Sequence, residues 1–231
     1  MQEELTKHGL KIYKTMADRK HALGEKFREI LIEILIIVFA VSLSIYLHSW
    51  SEHRREQKEV NEFLHGLKID LSDDIRQIKE GRNTIAKVQK NFDAAYHLDK
   101  GQLPDSTLDH YFVYEEVTTH LNSARYEGFK SSGKLGNIEN DSLRENILVY
   151  YQQLLPGVSD DENFGNGMQQ KMLDYEIDNS TLSKNKLLAI GKTKALLHIT
   201  AGNLLNTLYM YDSSMSQAKR IIKQIDKEIA K

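Results

Sequence analysis

Three groups of residues have the types and spacing that chemistry would require. GFKSSGK, Gly128 to Lys134, follows the glycine and lysine pattern of a phosphate-binding loop. The residue after it is Leu135, where a serine or threonine would ligate magnesium, and no apolar strand leads into Gly128. It reads as a glycine turn between helices. Glu62 and His65 share the Glu-x-x-His spacing of di-iron bundles, which places both on one helix face. Such a site needs a second copy and two more glutamates, and no other histidine in the chain has a glutamate three residues before it. His8, His21, His48, His53, His97, His110, His120 and His198 show no ligand spacing, and cysteine is absent. No nucleophile elbow or paired acid and base stands out. The expectation is a protein with no catalytic residues, no cofactor and no metal.

The third group lies inside an apolar stretch. Residues 30–50, ILIEILIIVFAVSLSIYLHSW, are long enough as a helix to cross the ~30 Å hydrocarbon layer. Lys26, Arg28 and Glu29 precede the stretch, and Tyr46, Trp50 and the run Glu52 to Arg55 close it as interfacial anchors. The stretch exceeds a signal-peptide core of ~7–15 residues and has no small-x-small site at its polar boundary, so it reads as an uncleaved signal anchor. Glu33, Ile37, Ala40, Ser44 and His48 fall on one helix face. Ala40 and Ser44 are small and four apart, the spacing that lets two membrane helices approach closely. Glu33 then has two readings: a carboxylate hydrogen-bonded across a helix–helix contact, or one near enough to the boundary to reach the headgroups.

Everything else hangs from this anchor. Residues 1–29 carry Leu5, Ile12, Met16, Leu23 and Phe27 among lysines, the pattern of a basic amphipathic segment. Basic residues flank both ends of the span, with a modest excess on the N-terminal side. That predicts a cytoplasmic N-terminus and a periplasmic C-terminal domain at a bacterial inner membrane.

The chain has 231 residues and two prolines, and long helical periodicities run through it. The fold class is all-α: one transmembrane helix continuing into a long antiparallel hairpin, a coiled-coil-like stalk, with a small helical head. Val60, Leu64, Leu67, Leu71, Ile75, Ile78, Ile85, Val88 and Phe92 form the first stripe. Leu197, Ala201, Leu204, Leu208, Tyr211, Met215, Ala218, Ile222, Ile225 and Ile229 alternate steps of four and three, a heptad seam that needs a partner helix. Residues 51–231 thus divide into stalk arms at 51–100 and 192–231 and a head at 105–190. Inside the head, Ser142 with Glu145 and Ser159 with Glu162 have capping-box spacing, and Pro156-Gly157 marks a turn.

The run from Glu33 through SLSIYLHSWSE to Arg54 and Arg55 resembles the anchor of a Bacteroidota family of single-pass membrane proteins, a domain of unknown function. The resemblance continues through HGLKIDLSDDI, His65 to Ile75. It takes in Ser131, Ser132, Gly133, Leu135 and Ile138, and then the paired Tyr150 and Tyr151. The family has glycine where this chain has Ala40 and an amide pair where it has His48 and Ser49. The resemblance implies an inner-membrane anchor with a helical exported domain, and it supplies no catalytic residues.

Net charge is −2, so no phosphate-neutralising face is expected and nucleic acid is not a partner. The partners expected are the lipid bilayer and either a second copy or another envelope protein. The function expected is structural or interactive, with extracytoplasmic ligand sensing through a partner membrane protein as the alternative.

Overall fold

The computed structural model describes residues 10, 11, 13, 14 and 23–230. The expected amphipathic segment over 1–29 lies mostly outside them. The described residues form helices and no strand. By packing, the chain divides into two units, 1–59 and 60–231. A single helix, α1 (Leu23–His97), contributes to both.

In the first unit α1 carries the apolar stretch. Among the described residues it is the helix long and apolar enough to cross a membrane, and no residue of its most apolar window is fully buried by protein. Lys11 Nζ lies 2.8 Å from Glu33 Oε1. The Arg54 guanidinium stands 4.6 Å over the Trp50 ring.

The second unit is built around α1 from Val60 onward and α7 (Gly191–Ile229). Lys68 meets Asp226, and Arg82 grips both carboxylate oxygens of Asp212 at 2.7 and 3.0 Å. Lys194 caps the end of α1 by donating to the carbonyls of Ala95, Tyr96 and Leu98. As numbers rise on α1 they fall on α7. Leu204, Tyr211 and Ile225 of the expected seam are buried, and Leu208, Met215 and Ile222 are half-buried against the same core.

The intervening chain forms α2 (Asp105–Leu108), α3 (Ala124–Ser131), α4 (Asp141–Val149), α5 (Leu155–Asp178) and α6 (Lys184–Leu188). A 3₁₀ turn, Lys134–Asn137, follows Gly133, whose φ of +75° is a conformation glycine adopts without strain. Residues 105–190 do not form a separate head at one end. Tyr126, Ile138, Leu143 and Tyr150 pack between Val60–Leu71 and Ala218–Ile225, while Leu108, Phe112, Val158 and Met172 pack between Ile78–Ala95 and Leu197–Tyr211. The physical reason is the width of the stripe on α7. Besides the seam, Thr193, Thr200, Thr207, Ser214 and Ile221, each seven residues apart, are fully buried. Two helices cover only a narrow a/d seam, and a broader stripe needs a third. That third helix is α5. Gly165 lets it come close to Asn203 and Leu204, and Gly157 lets it come close to Met210.

Two local expectations change. The helix runs through Pro156 instead of turning there. Pro156 has no N–H to donate one turn back, and a π-helical turn at Tyr150–Leu154 absorbs the lost bond. The cap of α4 is Asn140, whose Oδ1 accepts from Leu143 N at 3.1 Å, two residues before the expected Ser142. Asn140→Ala removes that acceptor and is expected to lower stability by about 1 kcal/mol, read as a shifted urea midpoint at unchanged slope.

Candidate functional site

The polar chemistry of the second unit gathers around residues 113–123, which join no helix and no sheet. Backbone groups in such a segment need partners, and here side chains supply them. On one edge α5 presents Glu162, Asn166 and Gln169, spaced by four and three on a single face. Gln169 accepts from Glu115 N at 3.0 Å and donates to Glu115 O at 3.2 Å. Asn166 does the same for Val117 at 3.1 and 2.8 Å. Glu162 accepts from both Thr119 N and Thr119 Oγ1. On the other edge α1 presents Gln77, which pairs with His120 N and O, both at 3.0 Å. It also presents Asp74, which accepts from Asn122 N at 2.8 Å. The bonds alternate: residues 115, 117 and 119 face α5, while 120 and 122 face α1. That is the period-two pattern of a strand, with side-chain carboxamides and carboxylates in place of neighbouring strands.

The two buried acids are built alike. Asp74, fully buried, accepts from Asn122 N, Asn122 Nδ2 and the Tyr150 hydroxyl. Glu162, nearly so, accepts from Thr119 N, Thr119 Oγ1 and the Tyr211 hydroxyl. Burial raises the Asp74 carboxyl above the usual carboxylate range, against the hydrogen bonds from Asn122 and Tyr150 that favour its charge. Burial likewise pushes the hydroxyls of Tyr150 and Tyr211 well above the ordinary tyrosine range, so they are neutral donors. With their oxygens occupied by three donors each, both acids act as structural acceptors that fix the segment to the helices.

Close approach is needed as well. A Cβ on Gly81 would stand 2.9 Å from Val117 Cγ1 and 3.1 Å from the Tyr211 hydroxyl. Gly81, which lowers helix propensity at mid-helix, is therefore where the segment crosses α1.

The sequence candidates fall elsewhere. Gly128 to Lys134 spans the end of α3 and the 3₁₀ turn. Glu62 and His65 are exposed on α1. Ala40, Ser44 and His48 are exposed, Tyr46 and Trp50 also, and Glu33 is half-buried. Among the described residues no cluster of three His, Asp or Glu side chains is arranged to hold a metal. Of the stretches on which the resemblance stands, those in the second unit pack together. Leu67 and Leu71, Leu135 and Ile138, and Tyr150 and Tyr151 share one core, and Asp74 of the first piece bonds to Tyr150 of the last. Sequence reasoning missed the α5 ladder. The available signal was three polar residues at helical spacing between Val158 and Met172.

No family model, no curated protein and no solved structure matches the chain.

Proposed function

We propose that this protein is a membrane-anchored structural and interaction protein of the bacterial envelope, without catalytic activity. Residues 30–50 cross the inner membrane once, with the N-terminus cytoplasmic and residues 51–231 periplasmic. The pairing of α1 with α7 is an antiparallel helical hairpin thickened by α5. Its partners are the bilayer and a second copy or another envelope protein, met in the membrane along the Glu33, Ala40, Ser44 and His48 face.

One observation carries the reading. Leu31, Ile32, Ile34, Leu35 and Ile36 point in different directions around one helix, and each is between 45 % and 57 % exposed. A helix apolar around most of its circumference has to be covered, and beyond the half-buried edge at Ile30, Glu33 and Ile37 this chain does not cover it. Lipid is the cover that fits a run of this length. The resemblance to the Bacteroidota family supports the same placement. In the second unit the buried acids serve as structural acceptors and not as paired catalytic groups, which favours interaction over reaction.

The test is sedimentation. Full-length protein is expected in the high-speed pellet after detergent-free lysis, to resist carbonate extraction, and to be released by mild detergent. Recovery in the supernatant would overturn the anchor. Protease added to spheroplasts is expected to remove residues 51–231 and spare the N-terminus. The reverse pattern would overturn the orientation.

A further inference from the structure

The α1 edge of the extended segment is paired toward its C-terminal end and open before it. Asp74 serves Asn122 and Gln77 serves His120, while the next tie to α1, Asn91 donating to His110 O at 3.1 Å, precedes the segment. Continuing up α1 by one turn at a time, the residues opposite 118 and 116 are Gly81 and Thr84. Glycine has no side chain, and threonine is too short to imitate the Gln77 carboxamide. The backbone N–H and C=O of Glu116 and Thr118 face this gap by the alternation above. They make no hydrogen bond within the protein among the described residues, and both residues are exposed. The gap opens as a surface groove of about 560 Å³ lined by Gln77, Glu80, Gly81 and Thr84 of α1 and residues 115–119, with the contact of Val117 on Gly81 as its floor.

The groove has a charge. Glu80, Glu115 and Glu116 line it, and no lysine or arginine does. Arg76 pairs with Glu80 and Lys87 with Glu115 from outside the lining. Glu116 has no ion pair among the described residues. An unpaired strand edge takes another strand, whose backbone supplies binding and whose alternate side chains supply specificity.

We infer that the groove beside Glu116 and Thr118 is a docking site for an extended segment of a partner protein carrying lysine or arginine at alternate positions. The segment adds as a strand to the open edge, and one of its cations lies against Glu116. The inference rests on the reading of this chain as an interaction protein, and it does not depend on the lipid anchor.

The experiment uses the full-length chain in detergent micelles and a fluorescein-labelled Val-Lys-Val-Lys-Val peptide followed by anisotropy. Two further peptides carry N-methyl groups on either the valines or the lysines, and a fourth replaces lysine by glutamate. Saturable binding of the first peptide is expected. One of the two N-methyl peptides should bind at least tenfold more weakly and the other nearly as well, because only one edge of the added strand faces the protein. The glutamate peptide should not bind. Glu116→Lys, at an exposed position, should weaken binding at least tenfold with an unchanged melting temperature. Thr84→Lys on the opposite wall should do the same. Hydrogen exchange of the Glu116 and Thr118 amides should slow on binding.

Equal binding by both N-methyl peptides, or binding indifferent to both lysine variants, would mean ionic adsorption and overturn the proposal. So would the absence of saturable binding by the lysine peptide. Failure here leaves the sedimentation result standing. Partners still recovered by crosslinking in membranes would then retain the interaction reading without this groove.

Discussion

Leu204→Asp is expected to abolish cooperative folding of residues 60–231. Leu204 is 1 % exposed and sits where α5 approaches at Gly165, with its Cδ2 3.1 Å from where a Cβ on Gly165 would lie. Replacing it removes about 2–5 kcal/mol of packing and leaves a carboxylate that must be desolvated or protonated, at a further cost of several kcal/mol. A domain with a total stability of about 5–15 kcal/mol does not absorb both. Leu208→Asp should cost less, about 1–2 kcal/mol, because its half-buried position lets the carboxylate reach water. The measurement is a thermal melt followed by circular dichroism in detergent, comparing the two single variants with the double. Loss of the cooperative transition is the readout, since the apolar stretch keeps its helical signal in micelles. A double variant that melts cooperatively at the wild-type temperature would show that the seam on α7 is misplaced.

What could be read from the sequence followed periodicity. The stripe on α7 repeats without interruption and that on α1 breaks only at Gly81 and Arg82, and every one of the stripe positions proves buried or half-buried in the second unit. The span at 30–50 was legible for a simpler reason, since no other stretch is apolar on all faces. Residues 113–123 were not legible. VYEEVTTHLNS has neither clear apolar alternation nor helical spacing, because its partners are helix side chains and polar residues fall on its half-buried as well as its exposed positions. The partners were hidden by the same rule that found the stripes. Glu162 reads as the second half of a capping box with Ser159, and Asn166 and Gln169 carry no motif, whereas all three face inward and hold backbone groups. Thr193, Thr200, Thr207 and Ser214 were overlooked likewise, although a seven-residue spacing of small hydroxyl residues beside a heptad seam is the mark of a broader stripe. The place of residues 105–190 followed from these omissions. A seam counted too narrow seemed complete with two helices, which left the middle of the chain nothing to cover.

The tie between α1 and the extended segment gives the second large effect. Asp74→Ala leaves Asn122 N, Asn122 Nδ2 and the Tyr150 hydroxyl without their buried acceptor. At about 1–3 kcal/mol for each orphaned donor, a total of about 3–5 kcal/mol is expected, or a melting temperature lower by on the order of 10 °C. Asp74→Asn keeps the shape and one acceptor oxygen, so its cost is smaller, and it removes a charge whose burial is unfavourable. The sign with pH follows. The folded Asp74 carboxyl titrates above its unfolded value near 3.8, so its contribution to stability is complete below that value and is lost as pH rises through the folded one. Asp73, Asp105 and Asp212 are shifted the other way by Arg76, by the Asn185 backbone N–H and by Arg82, and stabilise the fold until acid protonates them. Those three are common to both proteins and cancel in a comparison. The stability of Asp74→Asn relative to wild type, from urea melts between pH 4 and pH 7, should therefore improve as pH rises from 4 and level off above the folded value. A flat or falling difference would mean that Asp74 is not held in a desolvated site, and the anchoring of residues 113–123 through it would have to be abandoned.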